Sequence, residues 1–449
     1  MQGRTLSLKL MGTGVAAALL ASSAASAQDV AAAQNNAPVQ NVVPILAPSL
    51  PVSGEVTAVY DEFRIQPIWL GNGPDNPAIQ QLVAILRRAP FDGFVDGPQL
   101  ADQVQAAVAQ ARADPAAVGT ADRILSTAWV RYVQALRQPT PGMIYAYPDL
   151  KPQGTRAEGI VLTASAASSL QSYLETTSRL NPIYAQLRDS AWAEAQATGN
   201  MTPDPRLLAN LDRARSIPAK GRFLLVNSGD QRLTLYENGQ AIDSMKVIVG
   251  TPALPTPLIA SIMNYVTFNP YWNAPDHLVR KTIANNVLHL GLGYFKSHGY
   301  HVIEDWALDS ETIDPKTIDW KAVAAGDVHL KIRQDPGTLN SMGKLKFPFL
   351  NPEDIFLHDT PAKELFAKEV RDLSNGCVRV EDAPRLGRWL LGHDPVSPGS
   401  DPEMQVQVTD AVPIILTYLT AQVNDGKVTY LPDIYGWDQP KGSQVATSN

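Results

Sequence analysis

The chain has a single cysteine, Cys377, among its 449 residues. One thiol excludes an internal disulfide, and a spare exposed thiol is a liability for a chain that leaves the cytosol. Either Cys377 is a buried, inert small hydrophobe, or its sulfur does chemistry. Basic runs are also missing. The formal net charge is -7, and an acidic chain without a basic run excludes nucleic acid as the expected partner. Beyond the N-terminus no apolar stretch reaches membrane-spanning length. Residues 411–423 are apolar, but short and interrupted by Pro413. Charged residues are 18% of the chain and hydrophobic ones 45%, enough for a core. The 35 prolines favour loops and strands over one long helical bundle.

The N-terminus reads as an export signal. Arg4 and Lys9 form a positive n-region, residues 10–21 a short apolar run, and Ala25-Ser26-Ala27 a small-residue cleavage site. The expected mature chain starts at Gln28, with 35 basic against 44 acidic residues. No cysteine follows for lipid attachment and no twin arginine precedes, so the general secretory route and a periplasmic location are expected. Residues 28–54 read as a disordered linker, rich in Ala, Gln, Asn and Pro.

From 55 to 215 the periodicity is helical. Helices are expected over 76–88, 100–113, 120–136, 162–177, 182–197 and 201–215. Near Pro218 the pattern changes. Residues 222–227 and 232–237 read as strands around an Asn238-Gly239 hairpin turn, and 245–249 continue the meander. Residues 276–343 are less regular and read as an insertion or lid. Residues 354–357 read as a strand ending at His358, and 412–418 and 427–430 as closing strands.

The stretch that carries chemistry begins at His358-Asp359-Thr360-Pro361. Thr360 and Pro361 predict a helix to about Arg371. Ser374-Asn375-Gly376-Cys377-Val378-Arg379 follows. Asp382 then caps a helix that stops at Gly392. A thiol nucleophile needs a base within hydrogen-bond reach, backbone N–H groups for an oxyanion, and help in forming a thiolate. His358 at a strand end is the candidate base, Gly376 the residue that lets the backbone bend, and Arg379 a supporting cation.

These residues resemble the signature of the L,D-transpeptidase (YkuD-type) catalytic domain. Pro255-Thr256-Pro257, Asn269-Pro270-Tyr271-Trp272-Asn273, Arg333-Gln334-Asp335-Pro336-Gly337, Asn340, Gly343, Lys346-Phe347 and Asp433-Ile434-Tyr435-Gly436 extend the likeness, toward the large periplasmic Gram-negative branch with scaffold and capping subdomains. The resemblance implies an α+β chain: a helical scaffold domain over 55–215 and a β-rich, β-sandwich-like catalytic domain over 219–436. A substrate-capping insertion spans about 276–343, and a tail 437–449. It implies a Cys377 thiolate attacking the third residue, usually diaminopimelate, of a peptidoglycan tetrapeptide stem, with D-alanine leaving. A neighbouring diaminopimelate amine then resolves the thioester into a 3→3 cross-link.

By matching position, His358 is the base, the backbone of Gly376 and Cys377 the oxyanion hole, and Arg379 a cation. Ser374, Asn375, Trp272, Asn273, Arg333 and Phe356 are expected near substrate. No metal or cofactor is implied, and carbapenem-type inhibitors are expected to acylate the thiol. Two departures stand out: Phe356 where relatives often have Tyr, and Asn375 where many have His or Gly. No separate peptidoglycan-binding module is recognised. Water or a D-amino acid as the acceptor, or a non-catalytic wall-binding protein, are the alternative readings. Asp359 reads as a capping or solvated residue. Trp272 reads almost equally as core, and Arg333 equally as an ion-pair partner. His298 and His301 lack companion ligands and read as surface or lid histidines, while His277, His289, His329 and His393 carry no motif.

Overall fold

The computed structural model describes residues 51–439. The expected signal segment and most of the linker lie outside the described residues. Among the described residues eight α-helices precede residue 216: Gly54–Glu62, Pro77–Arg88, Gly97–Ala113, Val118–Leu136, Ala157–Ser165, Leu170–Arg179, Pro182–Thr198 and Pro205–Ala214. Three start on an Asx-Pro pair. The side chains of Asn76, Asn181 and Asp204 accept from Ala78 N, Tyr184 N and Arg206 N, with proline at the first helical position. The helix expected over 162–177 is two helices, because the Ser169 side chain caps a new start by accepting from Ser172 N. The helix expected from Met201 begins only at Pro205, since prolines at 203 and 205 lack the N–H that a helix interior needs. The fully buried Asp122 carboxylate accepts from the N–H groups of Ile68, Trp69 and Leu70 at 2.8–2.9 Å and from the Tyr60 hydroxyl at 2.6 Å. It thereby folds the 63–70 loop onto the helices.

The strands are β1 (Ile144–Tyr145), β2 (Phe223–Asn227), β3 (Arg232–Glu237), β4 (Gln240–Gly250), β5 (Ile259–Phe268), β6 (Trp272–Ala274), β7 (Tyr300–Ile303), β8 (Thr312–Ile313), β9 (Lys331–Gln334), β10 (Leu345–Pro348), β11 (Phe356–His358), β12 (Asp372–Ser374), β13 (Val378–Val380), β14 (Met404–Thr417), β15 (Ala421–Asn424) and β16 (Lys427–Tyr430). The fold is α+β, and the sandwich-like expectation takes a particular form. The path β5-β10-β11-β13-β4-β3-β2-β14 returns to β5 and closes on itself. Asn238 and Gly239 both have positive φ, as the β3–β4 turn requires.

Strand β2 is buried on both faces. Leu224 and Val226 join the core inside the ring, with Ile414, Leu416, Leu357 and Val378. Phe223 and Leu225, with Ala260 and Ile415, join the core of the helical half. That helical half also supplies β1, which pairs parallel with β5. At the seam the buried Asn210 amide accepts from Thr420 N and Ala421 N at 2.8 and 3.0 Å and donates to Asp438 at 3.2 Å. Asp438 also pairs with Arg213. Trp437 and Asp438 are therefore anchored in the fold rather than in the tail expected from 437, because Asp433 accepts from both of their N–H groups.

The insertion has its own four-stranded sheet, β6-β9-β7-β8, and its own core around Val279, Ile283, Phe295, Val323 and Ile332. Its sheet runs from Trp272 to Gln334, so the expected 276–343 is displaced at both ends. Residues 335–343 return to the ring through Asn340, whose amide donates to the carbonyls of Pro270, Gln334 and Asp335. The helix expected over 363–371 is a short 3-10 turn, Lys363–Ala367. Buried Arg371 pulls the following chain straight by donating to Val247 O, Gln231 O, Lys368 O and Glu369 O at 2.9–3.1 Å. The helix Ala383–Leu391 starts at Asp382 and stops at left-handed Gly392, as expected.

Asn210→Ala leaves two buried N–H groups without an acceptor. It is expected to destabilise the fold by about 3 kcal/mol, read from urea denaturation. A change below about 1 kcal/mol would show that the seam carries little stability.

Candidate active site

Two three-residue strands set the geometry. Strands β11 and β13 pair in parallel, Leu357 against Val378 and His358 against Arg379, while β10 pairs antiparallel with β11, Lys346 against His358. Leu357, Val378 and Phe347 point into the ring core. The period of two therefore turns His358, Arg379 and Lys346 to the outer face. Cys377, immediately before β13, shares their parity. With strands about 4.8 Å apart and alternate residues about 6.6 Å apart, the Cα atoms of His358 and Cys377 lie about 8 Å apart on one face. That separation lets an imidazole and a thiol approach each other.

His358 is buried, and its Nδ1 lies 2.6 Å from the backbone carbonyl of Asp359. A carbonyl only accepts, so Nδ1 carries the proton and Nε2 keeps its lone pair. Burial first, then the Arg379 charge, lowers the His358 pKa to about 4. The imidazole is neutral at pH 7 and its Nε2 is available as a base. The orienting group is the carbonyl of Asp359 and not its carboxylate. That carboxylate accepts from Lys344 N at 3.0 Å and pairs with Lys363 at 2.8 Å, consistent with a capping role.

The half-buried Cys377 thiol points to the Asp354 carbonyl, 3.7 Å away. Burial pushes its pKa up to about 11, against the opposing pull of the Phe356 N–H and of Arg379. Asp354 has φ of 51°, a conformation rare outside glycine and asparagine. Asn351 supports this turn, accepting from Glu353 N and Ile355 N and donating to Ile355 O.

Ser374 is buried. Its hydroxyl donates to Cys377 O at 2.5 Å and accepts from Gly376 N at 3.2 Å. It shapes the loop, and the Gly376 N–H expected at the oxyanion is already engaged. What Gly376 contributes is its φ of 111°, which side chains rarely adopt. Sequence reading missed Thr256 as the support of this loop. Its hydroxyl donates to Gly376 O at 2.8 Å and accepts from Gly250 N at 2.9 Å. Tyr435 reinforces the same corner by donating to Gly250 O at 2.8 Å. The Pro255-Thr256-Pro257 and Asp433–Gly436 motifs were the available signal.

Arg379 is half-buried and, among the described residues, makes no ion pair or side-chain hydrogen bond. Asn375 is exposed on the loop and Phe356 half-buried, with the Lys346 ammonium 5.8 Å from its ring. Three residues expected near substrate are engaged within the insertion. Arg333 donates to Asn273 Oδ1, Ala307 O and Trp306 O at 2.9–3.2 Å and stacks on Tyr271. Its fork is occupied in bracing the insertion, so it is not a free carboxylate clamp, and Asn273 is occupied with it. Trp272 packs against the insertion core. His298 and His301 bond to Tyr294 O and Asp335. Among the described residues no cluster of three or more His, Cys, Asp or Glu is placed to hold a metal ion.

A neutral thiol beside a neutral imidazole differs in pH response from a preformed thiolate–imidazolium pair. Alkylation of Cys377 by iodoacetamide is expected to rise about tenfold per pH unit from pH 7 to 9 without a plateau, because the thiolate fraction grows toward a pKa of about 11. A rate flat over that range would indicate the ion pair.

The sequence model for the L,D-transpeptidase catalytic domain (YkuD) matches residues 221–407, and that for the scaffold domain residues 54–190. A Haemophilus influenzae protein whose name assigns it provisionally to the L,D-transpeptidases is 26% identical over 390 residues, covering 85% of this chain and 77% of that protein. Among solved structures, the Ldtfm–avibactam carbamoyl enzyme matches at 11% identity and a TM-score of 0.22, over 45% of this chain and 50% of that one. The L,D-transpeptidase from Mycobacterium smegmatis matches at 11% and 0.21, over 44% and 60%. LdtMt1 in complex with imipenem matches at 11% and 0.22, over the same shares. The chain thus spans 50% to 60% of these structures, and the assignment rests on the sequence matches. On those matches the chain carries an L,D-transpeptidase (YkuD-type) catalytic domain preceded by a scaffold domain.

Proposed function

We propose that the chain cross-links peptidoglycan stem peptides through a thioester on Cys377. The observation that carries this reading is the His358 tautomer. The Nδ1 proton is donated to Asp359 O at 2.6 Å, which leaves Nε2 to accept a proton on the face that carries the thiol.

In the first half-reaction Nε2 takes the Cys377 proton as sulfur attacks the carbonyl of the third stem residue, diaminopimelate. The half-buried, unpaired Arg379 guanidinium balances the oxyanion or the carboxylate beside it. As the tetrahedral intermediate collapses, the carbon–nitrogen bond to D-alanine breaks. The imidazolium returns its proton to the leaving amine, and a thioester remains. In the second half-reaction the side-chain amine of a neighbouring diaminopimelate attacks the thioester. It gives its proton to Nε2, the carbon–sulfur bond breaks, and the thiol regains that proton. The product is a 3→3 cross-link. Every proton passes through one imidazole, and a pKa of about 4 keeps that imidazole free to accept at pH 7. The same reading places the chain in the periplasm, with Gln28 as its mature N-terminus.

Incubation of the mature chain with meropenem, read by intact mass, is expected to give one adduct on wild type and none on Cys377→Ala. His358→Ala should slow the adduct by about 10²–10⁴-fold. Muropeptide analysis then identifies the acceptor: 3→3 dimers support cross-linking, while tripeptides or exchanged stems point to water or a D-amino acid. A folded wild type without an adduct would sink the catalytic reading in favour of a wall-binding protein.

A further inference from the structure

Two cations flank His358 across the sheet. Arg379 stands on β13 and Lys346 on β10, each the direct cross-strand partner of His358, and both lower its basicity. Their own surroundings differ. Arg379 is unpaired among the described residues, whereas Lys346 Nζ sits 2.9 and 3.1 Å from the two carboxylate oxygens of Glu403. The pair is largely shielded from water, at 18% and 17% side-chain exposure. Glu403 Oε1 also accepts the Tyr271 N–H at 2.8 Å, at the root of the insertion, one residue before β6. Glu403 itself has φ of 56°, and Asn269, whose carbonyl accepts the Glu403 N–H at 3.1 Å, has φ of 49°. The Asn269 amide is in turn held by Ser397 Oγ, Gly399 O and Asp401 O. Two left-handed, non-glycine residues in contact persist only where their surroundings over-determine them.

We propose that Glu403 is a positioning residue for the base. It offsets the Lys346 charge beside His358, and the same carboxylate holds the root of the capping insertion. The charged or titratable groups around the imidazole are Lys346 from β10, Arg379 from β13, Cys377, and the adjacent Asp359 carboxylate, which is engaged by Lys344 N and Lys363. Of these, Lys346 is the one whose field a partner from a distant segment controls. Without the Glu403 charge, the ammonium acts in full on an imidazole one strand away and disfavours the imidazolium that proton transfer from Cys377 creates.

The proposal rests on His358 as the base. A titration of the His358 ring by NMR needs no turnover, so failure here and failure of the catalytic reading are distinguishable. Wild type, Glu403→Gln, Lys346→Met and the double variant would be titrated from pH 3 to 8, and the pH profile of meropenem acylation recorded for each. Gln keeps an oxygen for the Tyr271 N–H, so the backbone seat is retained. Glu403→Gln is expected to lower the His358 midpoint by about one unit and slow acylation, and Lys346→Met to raise the midpoint. The double variant should fall between the two single variants, near wild type, because both charges are removed together. An unmoved midpoint in Glu403→Gln overturns the proposal, as does a double variant whose midpoint stays as low as that of Glu403→Gln. If Glu403→Gln fails to fold, Lys346→Met, which keeps the Glu403–Tyr271 bond, decides alone, and a midpoint that does not rise overturns the proposal.

Discussion

The parallel pairing of Phe356–His358 with Val378–Val380 is the constraint on which the chemistry depends. Parallel neighbours cannot be joined by a tight turn, so the chain must leave the sheet after His358 and return before Cys377. The short 3-10 turn, the pinned Arg371 segment and β12 make that excursion. Each strand has only three residues, too few to hold register alone. Register comes from β10 and β4 on either side and from Leu357 and Val378 locked in the core. A slip of one residue would turn the imidazole into the core and a leucine onto the reactive face.

The same burial that fixes the two side chains also sets their charge. Cys377 and His358 are each held in the neutral form, with pKa values of about 11 and about 4. That burial also limits indiscriminate reaction of the thiol, which is half-buried and turned toward a backbone carbonyl.

Much of this was legible in the sequence where local chemistry decides the outcome. Asn238-Gly239 marks a hairpin, and Asp382 with Gly392 brackets a helix. The His358 and Ser374–Arg379 motifs mark the candidate site. What was hidden depends on partners distant in the chain. Residues 363–371 carry helix-like signals, yet Gln231 and Val247 straighten their end through Arg371. Thr256 holds the cysteine loop from 120 residues away, and Tyr435 braces the same corner through Gly250 O; their motifs are visible in the sequence, but the contacts they make are not. Arg333 has the residue type of a carboxylate clamp, but its position in β9 occupies its donors within the insertion. The partner of His358 Nδ1 was hidden because it is a backbone carbonyl, which any residue could have supplied.

Strand β1 has a consequence for how this architecture arises and varies. The helical half contributes a strand to the ring sheet, and Phe223, Leu225, Ala260 and Ile415 belong to the core of the helical half. A catalytic half made alone would present that apolar face and an open β5 edge to water, the conditions under which sheets associate with one another. The two halves are therefore not interchangeable modules. A gene-level exchange of one helical half for another would have to carry the matching face of β2, β5 and β14 with it. Recombination within this architecture is accordingly constrained to whole chains or to the insertion, which folds about a core of its own.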